Sequence, residues 1–337
     1  SSGTFSPGSN GVEVAGNWSN SATFTPGTGI VTFDGSGAQT ISGTNTFYDL
    51  TINNDHASLK VSANGSTLTV QDDLLISDGI FESASDYHDV TISAGATLEL
   101  TGNITVSGDW SNSGIFTPNT NLVTFDGAAA QSLTSGGSSF YDLSTATAST
   151  NLTIQDSLVV SNDLTIAAST TLDAGSNQAI SVGGNWNNGN GGTFTSASGT
   201  VTFNGSGAQT VTTGGVGTGN DFNNVTITNT AGSPGTDYVQ TSGAIKVDGT
   251  LDVTDGQFIP AANSDFVNVT LSSSNGKLMQ ASIGTITVSG TWNNSGGDAA
   301  SFEATSAATV TFDGAEHSHL LVGVFHLIFL KQQHLVL

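Results

Sequence analysis

Between residues 72 and 88 the chain gathers Asp72, Asp73, Glu82, Asp86, Tyr87 and His88. Glycoside hydrolysis needs two carboxylates facing one bond, one to protonate the leaving oxygen and one to activate water or attack the sugar. On a strand-built surface such a pair comes from i and i+2 positions or from neighbouring strands. On this reading Asp72, Asp73, Glu82 and Asp86 are the candidate catalytic residues. The structural reading weighs more: Asp34, Asp78, Asp126, Asp248, Asp255 and Asp313 each precede glycine, a pairing suited to tight turns. Asp248, Asp252 and Asp255 cluster in KVDGTLDVTDG and are the candidate ligands for a weak structural Ca²⁺, although no EF-hand loop is present. His317 and His319 would share a strand face with His326 nearby, and a chance cluster outweighs a transition-metal site there. Cysteine is absent, and so are G-x-S-x-G, HExxH and the phosphate-loop pattern, which leaves nucleophilic catalysis without support.

Aromatic residues are the other chemistry on offer. Trp18, Trp110, Trp186 and Trp292, with Tyr48 and Tyr141 of the two FYDL phrases, are the candidate ligand-binding residues if they form a sugar-stacking ladder. One aromatic per repeat is more often an internal stack. Threonine pairs such as Thr67/Thr69 and Thr285/Thr287 suggest flat, hydroxyl-bearing faces, which solvent-facing strands also prefer.

Composition narrows the partners. The 337 residues hold 27 acids and four lysines (Lys60, Lys246, Lys277, Lys331) without arginine, a net charge of −23. A chain so short of cations cannot neutralise phosphates, so nucleic acid, anionic membranes and polyanionic substrates are poor partners. A polysaccharide or cell-surface glycan is the better one. No apolar run reaches a membrane span; the longest lies within residues 320–330.

The elements that must carry these residues repeat. GNWSNSATFTPGTGIVTFDGSGAQTI begins at Gly16, and related phrases begin at Gly108, Gly184 and Gly290, each with one tryptophan. Trp-to-Trp spacings are 92, 76 and 106 residues. Between them run short alternations such as Leu68/Val70, Ile104/Val106 and Leu251/Val253, broken by Gly, Asn, Asp or Ser. Alternation predicts strands with one apolar face, and no window carries a helical stripe. Tandem β-sandwiches need units of near-constant length, whereas a coil that adds turns singly tolerates unequal ones. The expected fold is therefore all-β, a parallel β-helix or β-solenoid of about 13 to 17 turns at roughly 20 to 25 residues each, with tandem sandwiches as the alternative.

The phrases GNWxNSGxFTPGTGxVTFxGxGAQTI, FYDLTI and LTVxxxLxIxxG resemble the repeat-rich regions of bacterial cell-surface and secreted proteins of adhesin-like or autotransporter-like type. That resemblance implies a right-handed parallel β-helix of the pectate-lyase-like kind and an extracellular or cell-surface location. The arginine or Gly-His-Gly element of polygalacturonase-like and pectate-lyase-like sites is missing. Residues 1–314 read as one β-helical domain. TFSPG at 4–8 already echoes TFTPG at 23–27, as expected of a piece of something longer. From Ala315 the style breaks, and residues 315–337 read as an atypical tail, a cap or the product of a shifted reading frame. The expected role is structural or adhesive. A glycoside hydrolase on a neutral polysaccharide and an end-to-end self-assembling filament subunit are the alternatives to a monomeric scaffold.

Overall fold

The computed structural model describes residues 3–56, 58–146, 150–189, 191–230, 238–280, 284–296, 301–304 and 308–314, and the backbone of strands Ser318–Val322, Phe325–Phe329 and Gln333–Val336. It is all-β, with no helix among the described residues, its parallel strands stacked in a β-solenoid of about 14 turns. Two compact units divide the chain, Ser1–Asp156 and Ser157–Leu337.

In the first unit the strands fall into three stacks, and most turns supply one short strand to each. The first stack runs through Val12–Val14, Ile30–Phe33, Asp49–Asn53, Asp73–Asp78, Asp89–Ile92, Trp110–Asn112, Ala130–Thr134 and Asn151–Ile154. A second contains Lys60–Ser62, Ile80–Ser83, Thr97–Leu100 and Ile115–Thr117. A third contains Thr67–Val70, Asp86–Tyr87, Ile104–Val106, Leu122–Phe125 and Asp142–Thr145. Register sets turn length: Val31 pairs with Leu50, Leu50 with Leu74, Leu74 with Val90 and Val90 with Trp110, so steps vary from 16 to 24 residues. Those side chains, each at most 1% exposed, form one interior column. Complete burial of each is worth about 1.5–3 kcal/mol, which makes such columns the main source of stability.

The second unit begins in the same three-strand manner. Leu158–Val160, Ile180–Val182, Thr200–Phe203 and Asn224–Thr228 belong to one stack, and Trp186–Asn187, Gln209–Thr212 and Tyr238–Ser242 to another. Lys246–Ile259 then passes from one stack to the next as a single strand. At the end, Ser318–Val322 lies parallel on Thr291–Asn294, and Phe325–Phe329 returns antiparallel to it. Gln333–Val336 is antiparallel to Ala308–Phe312.

The sequence copies do not keep one place in the coil. Within the first unit the strand of Trp18 pairs with Ile41–Gly43, whereas the strand of Trp110 belongs to the first stack, where the first copy instead places Ile30–Phe33. A copy is thus a local device that serves at any corner. Its working part is a buried glutamine. Gln39, Gln131 and Gln209 are at most 2% exposed. Each accepts a backbone N–H on Oε1, from Gly35, Gly127 and Gly205 at 3.1, 3.0 and 2.9 Å. Each donates from Nε2 to two carbonyls of the preceding turn; for Gln131 these are Val106 O at 3.0 Å and Gly108 O at 2.5 Å. The glycine is required by space, not by φ: a Cβ on Gly127 would lie 2.2 Å from Ser107 O. Asp78–Gly79 and Asp255–Gly256 are the Asp-Gly pairs that do use the left-handed region, at φ 79° and 74°.

Replacing Gln131 by Leu leaves the Gly127 N–H and the Gly108 carbonyl without that partner, while Val106 O keeps the N–H of Asp126, so the expected loss is about 2–6 kcal/mol at roughly 1–3 per group. Outward Thr124→Ala should change stability by no more than about 0.5 kcal/mol. Urea unfolding midpoints of the two variants check this.

Candidate functional site

The residues gathered between 72 and 88 span about one full turn, and the coil distributes them around its circumference. Asp73 starts a first-stack strand and pairs with Asp89. Glu82 lies in the second stack between Ser62 and Glu99, and Asp86 in the third between Thr69 and Thr105. Three different environments follow. Glu82 accepts from Ser62 Oγ at 2.7 Å and from Lys60 Nζ at 3.0 Å, and Lys60 also reaches Glu99 at 2.8 Å. The Ser62 hydroxyl first, and Lys60 after it, hold Glu82 below the ordinary carboxylate range against an opposing effect of burial. Asp72 accepts the Tyr48 hydroxyl, which raises the phenol. Asp73 is pushed up by burial and then by Asp72, Asp49 and Asp89, with His88 acting against them.

Asp86 is the candidate that faces an open depression, of about 410 Å³, lined by Thr69, His88, Thr105, Ser107 and Asp126 among others. Thr105 Oγ1 donates to Asp86 Oδ1 at 2.9 Å, and His88 Nδ1 lies 3.1 Å from Ser107 Oγ. Tyr87 points inward, donating to Ser83 Oγ at 2.6 Å, and burial drives its phenol upward. Asp126, read from sequence as a turn residue, is the group the linear motif missed. Its Oδ1 is buried without a hydrogen-bond partner, and burial, then the charge of Asp86, raises it. Asp126 follows Thr124, two turns from Asp86 through Thr105, roughly 10 Å along the stack at ~4.8 Å per turn.

Much of the remaining acid and amide chemistry is bound into the coil. The residue before three of the tryptophans accepts a backbone N–H one turn on: Asn17 from Thr40 at 2.8 Å, Asp109 from Ser132 at 2.7 Å, and Asn185 from Thr210 at 2.8 Å. Asp89 likewise accepts from Asp109 N at 2.6 Å. The GNW/GDW and AQ[TS] phrases are therefore two halves of one contact. In the proposed Ca²⁺ set, Asp248 pairs with Lys246 at 2.6 Å, Asp252 accepts Ser272 Oγ at 2.7 Å, and Asp255 accepts Gly256 N at 2.9 Å. Among the described residues no three His, Asp or Glu side chains converge as a metal set. His317 and the side chains of His319 and His326 lie outside the described residues.

The aromatic residues divide similarly. Trp110, Trp186 and Trp292 are 1%, 1% and 4% exposed and turn no open face to solvent. Each of the four tryptophans meets a following phenylalanine edge-on, Phe24, Phe116, Phe194 and Phe302, with centroids 4.8–4.9 Å apart. This is the internal stack rather than an exposed ladder. Trp18 is half-buried and lines a depression of about 510 Å³ with Phe5 and Phe24, its Nε1 donating to Asn45 Oδ1 at 2.7 Å. Tyr48 and Tyr141 are half-buried. The chain matches no known protein family, and it matches neither a curated protein nor a solved structure.

The pKa directions predict opposite pH responses. Glu82, lowered in the fold, contributes stability that is full above its unfolded value and lost as pH falls through the folded one. Asp73, raised, opposes folding when charged, and that opposition disappears as pH falls through its raised value. Glu82→Gln should therefore destabilise by about 1 kcal/mol at pH 7, the scale of a partly exposed ion pair, and much less at pH 3. Asp73→Asn should raise the urea midpoint at pH 7 and leave it unchanged at pH 3.

Proposed function

We propose that this chain is a structural segment of a bacterial surface or secreted protein, a β-solenoid that extends, displays and contacts neutral glycans. The observation that carries this reading is where the reactive side chains go. Aspartates and asparagines accept backbone N–H groups of the next turn, glutamines bracket corners, and three tryptophans fill the interior. Among the described residues every lysine is ion-paired, Lys60 with Glu82 and Glu99, Lys246 with Asp221 and Asp248, and Lys277 with Glu303. An outward surface of hydroxyls and carboxylates favours solubility. The absence of cysteine, the shortage of lysine and the repeat wording support an exported location.

A second reading, hydrolysis of a neutral polysaccharide, rests on Asp126 and Asp86. A carboxyl group with raised proton affinity beside a second carboxylate suits acid and base roles. Both side chains line the same depression, where the charge of Asp86 acts on Asp126. The depression is open and its described lining contains no exposed aromatic platform, which favours the structural role.

Incubation of the full chain with a panel of neutral polysaccharides, assayed for new reducing ends, separates the two. The expected result is no release above buffer. Release that Asp126→Asn or Asp86→Asn abolishes would replace the scaffold with an enzyme.

A further inference from the structure

One side of the first described turn is open. Its strands Thr4–Phe5, Val12–Val14 and Trp18–Asn20 each lie on a strand of the following turn, Thr23–Phe24, Ile30–Phe33 and Gln39–Phe47, and no other described strand pairs with them. Phe5 O and Val14 O accept N–H groups of that following turn. Alternation therefore turns the backbone groups of Thr4 and Glu13 the other way, toward the unpaired side. The apolar interior is uncovered at the same place. Phe5 is 51% exposed, and Val12, Val14, Trp18 and Phe24 are half-buried, whereas Val31, Phe33 and Ile41 of the next turn are sealed. In the later copies the preceding turn lays an aliphatic residue in register on the indole: Val90 on Trp110, Leu164 on Trp186 and Val269 on Trp292. Trp18 has no such neighbour among the described residues. Residues 1–33 also contain only one of the chain's 27 acids, Glu13, and none of its lysines.

We propose that this face binds the same face of a second copy, two chains meeting head to head about a two-fold axis as a closed dimer. The inference goes beyond the scaffold reading and needs no glycan. Backbone geometry identifies the class of occupant. A peptide could add to one of the three edges, but a whole coil end is needed to meet all three and to cover the side chains they enclose. A two-fold axis across the coil supplies such an end with its strands reversed, so the edges meet antiparallel, in the more stable of the two ladders. Charge selects the copy. Side-by-side approach of two chains at −23 is opposed by repulsion, whereas each of these faces contributes Glu13 alone. An acidic or basic partner finds little there to hold. The aromatic surface is self-complementary, since each face carries an exposed ring, Phe5, and a depression of about 510 Å³ beside Trp18 to receive the partner's. Because an isologous contact uses the same surface on both chains, it stops at two.

The test is sedimentation equilibrium of the full chain from about 1 to 100 µM, a span of moderate to weak affinities, in about 0.5 M salt to screen the net charge. The expected result is a monomer–dimer equilibrium without larger species. Over the same range acrylamide quenching of tryptophan fluorescence should fall, because Trp18 is the accessible indole and the other three are buried. Phe5→Asp, which the two-fold axis introduces twice, should weaken dimerisation by about tenfold or more, ~1.4 kcal/mol, with the urea midpoint unchanged. Glu13→Pro removes the outward N–H of an edge strand, a position that tolerates proline, and should weaken it comparably. Ile115→Asp, at a side chain 55% exposed in the second stack, should leave it intact. Three results would overturn the proposal: a monomer across the whole range, dimerisation equal in wild type and Phe5→Asp, or growth beyond the dimer. A monomer assigns the open face to an occupant other than a second copy, and equal dimerisation places the contact elsewhere on the chain.

Discussion

Each turn is hydrogen-bonded to the next through parallel strands, so its height is set at one strand spacing, ~4.8 Å, whatever its side chains are. An inward side chain consequently meets its counterparts directly above and below. That constraint builds columns such as Val31, Leu50, Leu74, Val90 and Trp110, and it forbids a turn from swelling to admit a larger residue. The indole of Trp110 is accommodated sideways, edge-on to Phe116 and tilted against Phe140, with centroids at 4.8 and 5.5 Å. Corners obey the same rule with polar groups. Gln39, Gln131 and Gln209 give the carbonyls of Val14, Val106 and Val182 a second donor, beside the N–H of Asp34, Asp126 and Asn204, without changing the height of the turn.

Stacking also multiplies charge. Identical corners place like groups one strand spacing apart, and Asp49, Asp73, Asp89 and Asp109 occupy four successive turns. Several of these carboxylates offset their repulsion by accepting an N–H from the turn that follows, Asp89 from Asp109 and Asp109 from Ser132. The offset is incomplete at Asp73, whose proton affinity rises through burial and its neighbours. With so few cations, the lysines go where two carboxylates converge: Lys60 lies between Glu82 and Glu99, and Lys246 between Asp221 and Asp248.

The period-two alternation of Val, Ile, Leu and Phe was enough to read the strands, their buried faces and the coil itself, because burial follows the same alternation in Thr67–Val70, Thr97–Leu100 and Asn151–Ile154. Placement around the coil was not legible. Leu74 and Val90 are 16 residues apart and stacked, so a cluster of that length in sequence is spread over a whole turn in space. This is why Glu82 and Asp86 part company, and why Asp126, 40 residues beyond Asp86, becomes its neighbour in charge. The glutamine brackets are not legible in the sequence for a related reason. Their partners lie a turn back, and a buried amide in GAQT carries no local signature that separates it from an exposed one.

The fourth copy lacks the bracket. Gln39, Gln131 and Gln209 each stand five residues after the Asp or Asn that closes VTF, and the same offset from Asp313 falls on Ser318. At that place the pairing changes: Ser318–Val322 still lies parallel on the turn before it, but the chain then reverses and Phe325–Phe329 pairs with it antiparallel. A hairpin satisfies backbone groups from its own partner strand and needs no side chain to close a corner. Elsewhere a corner closes with a hydroxyl, as where Thr150 Oγ1 lies 3.4 and 3.2 Å from Phe125 O and Gly127 O of the preceding turn. Copies separated by 76, 92 and 106 residues therefore share one architecture, since any turn length is admissible provided that its corners can be closed.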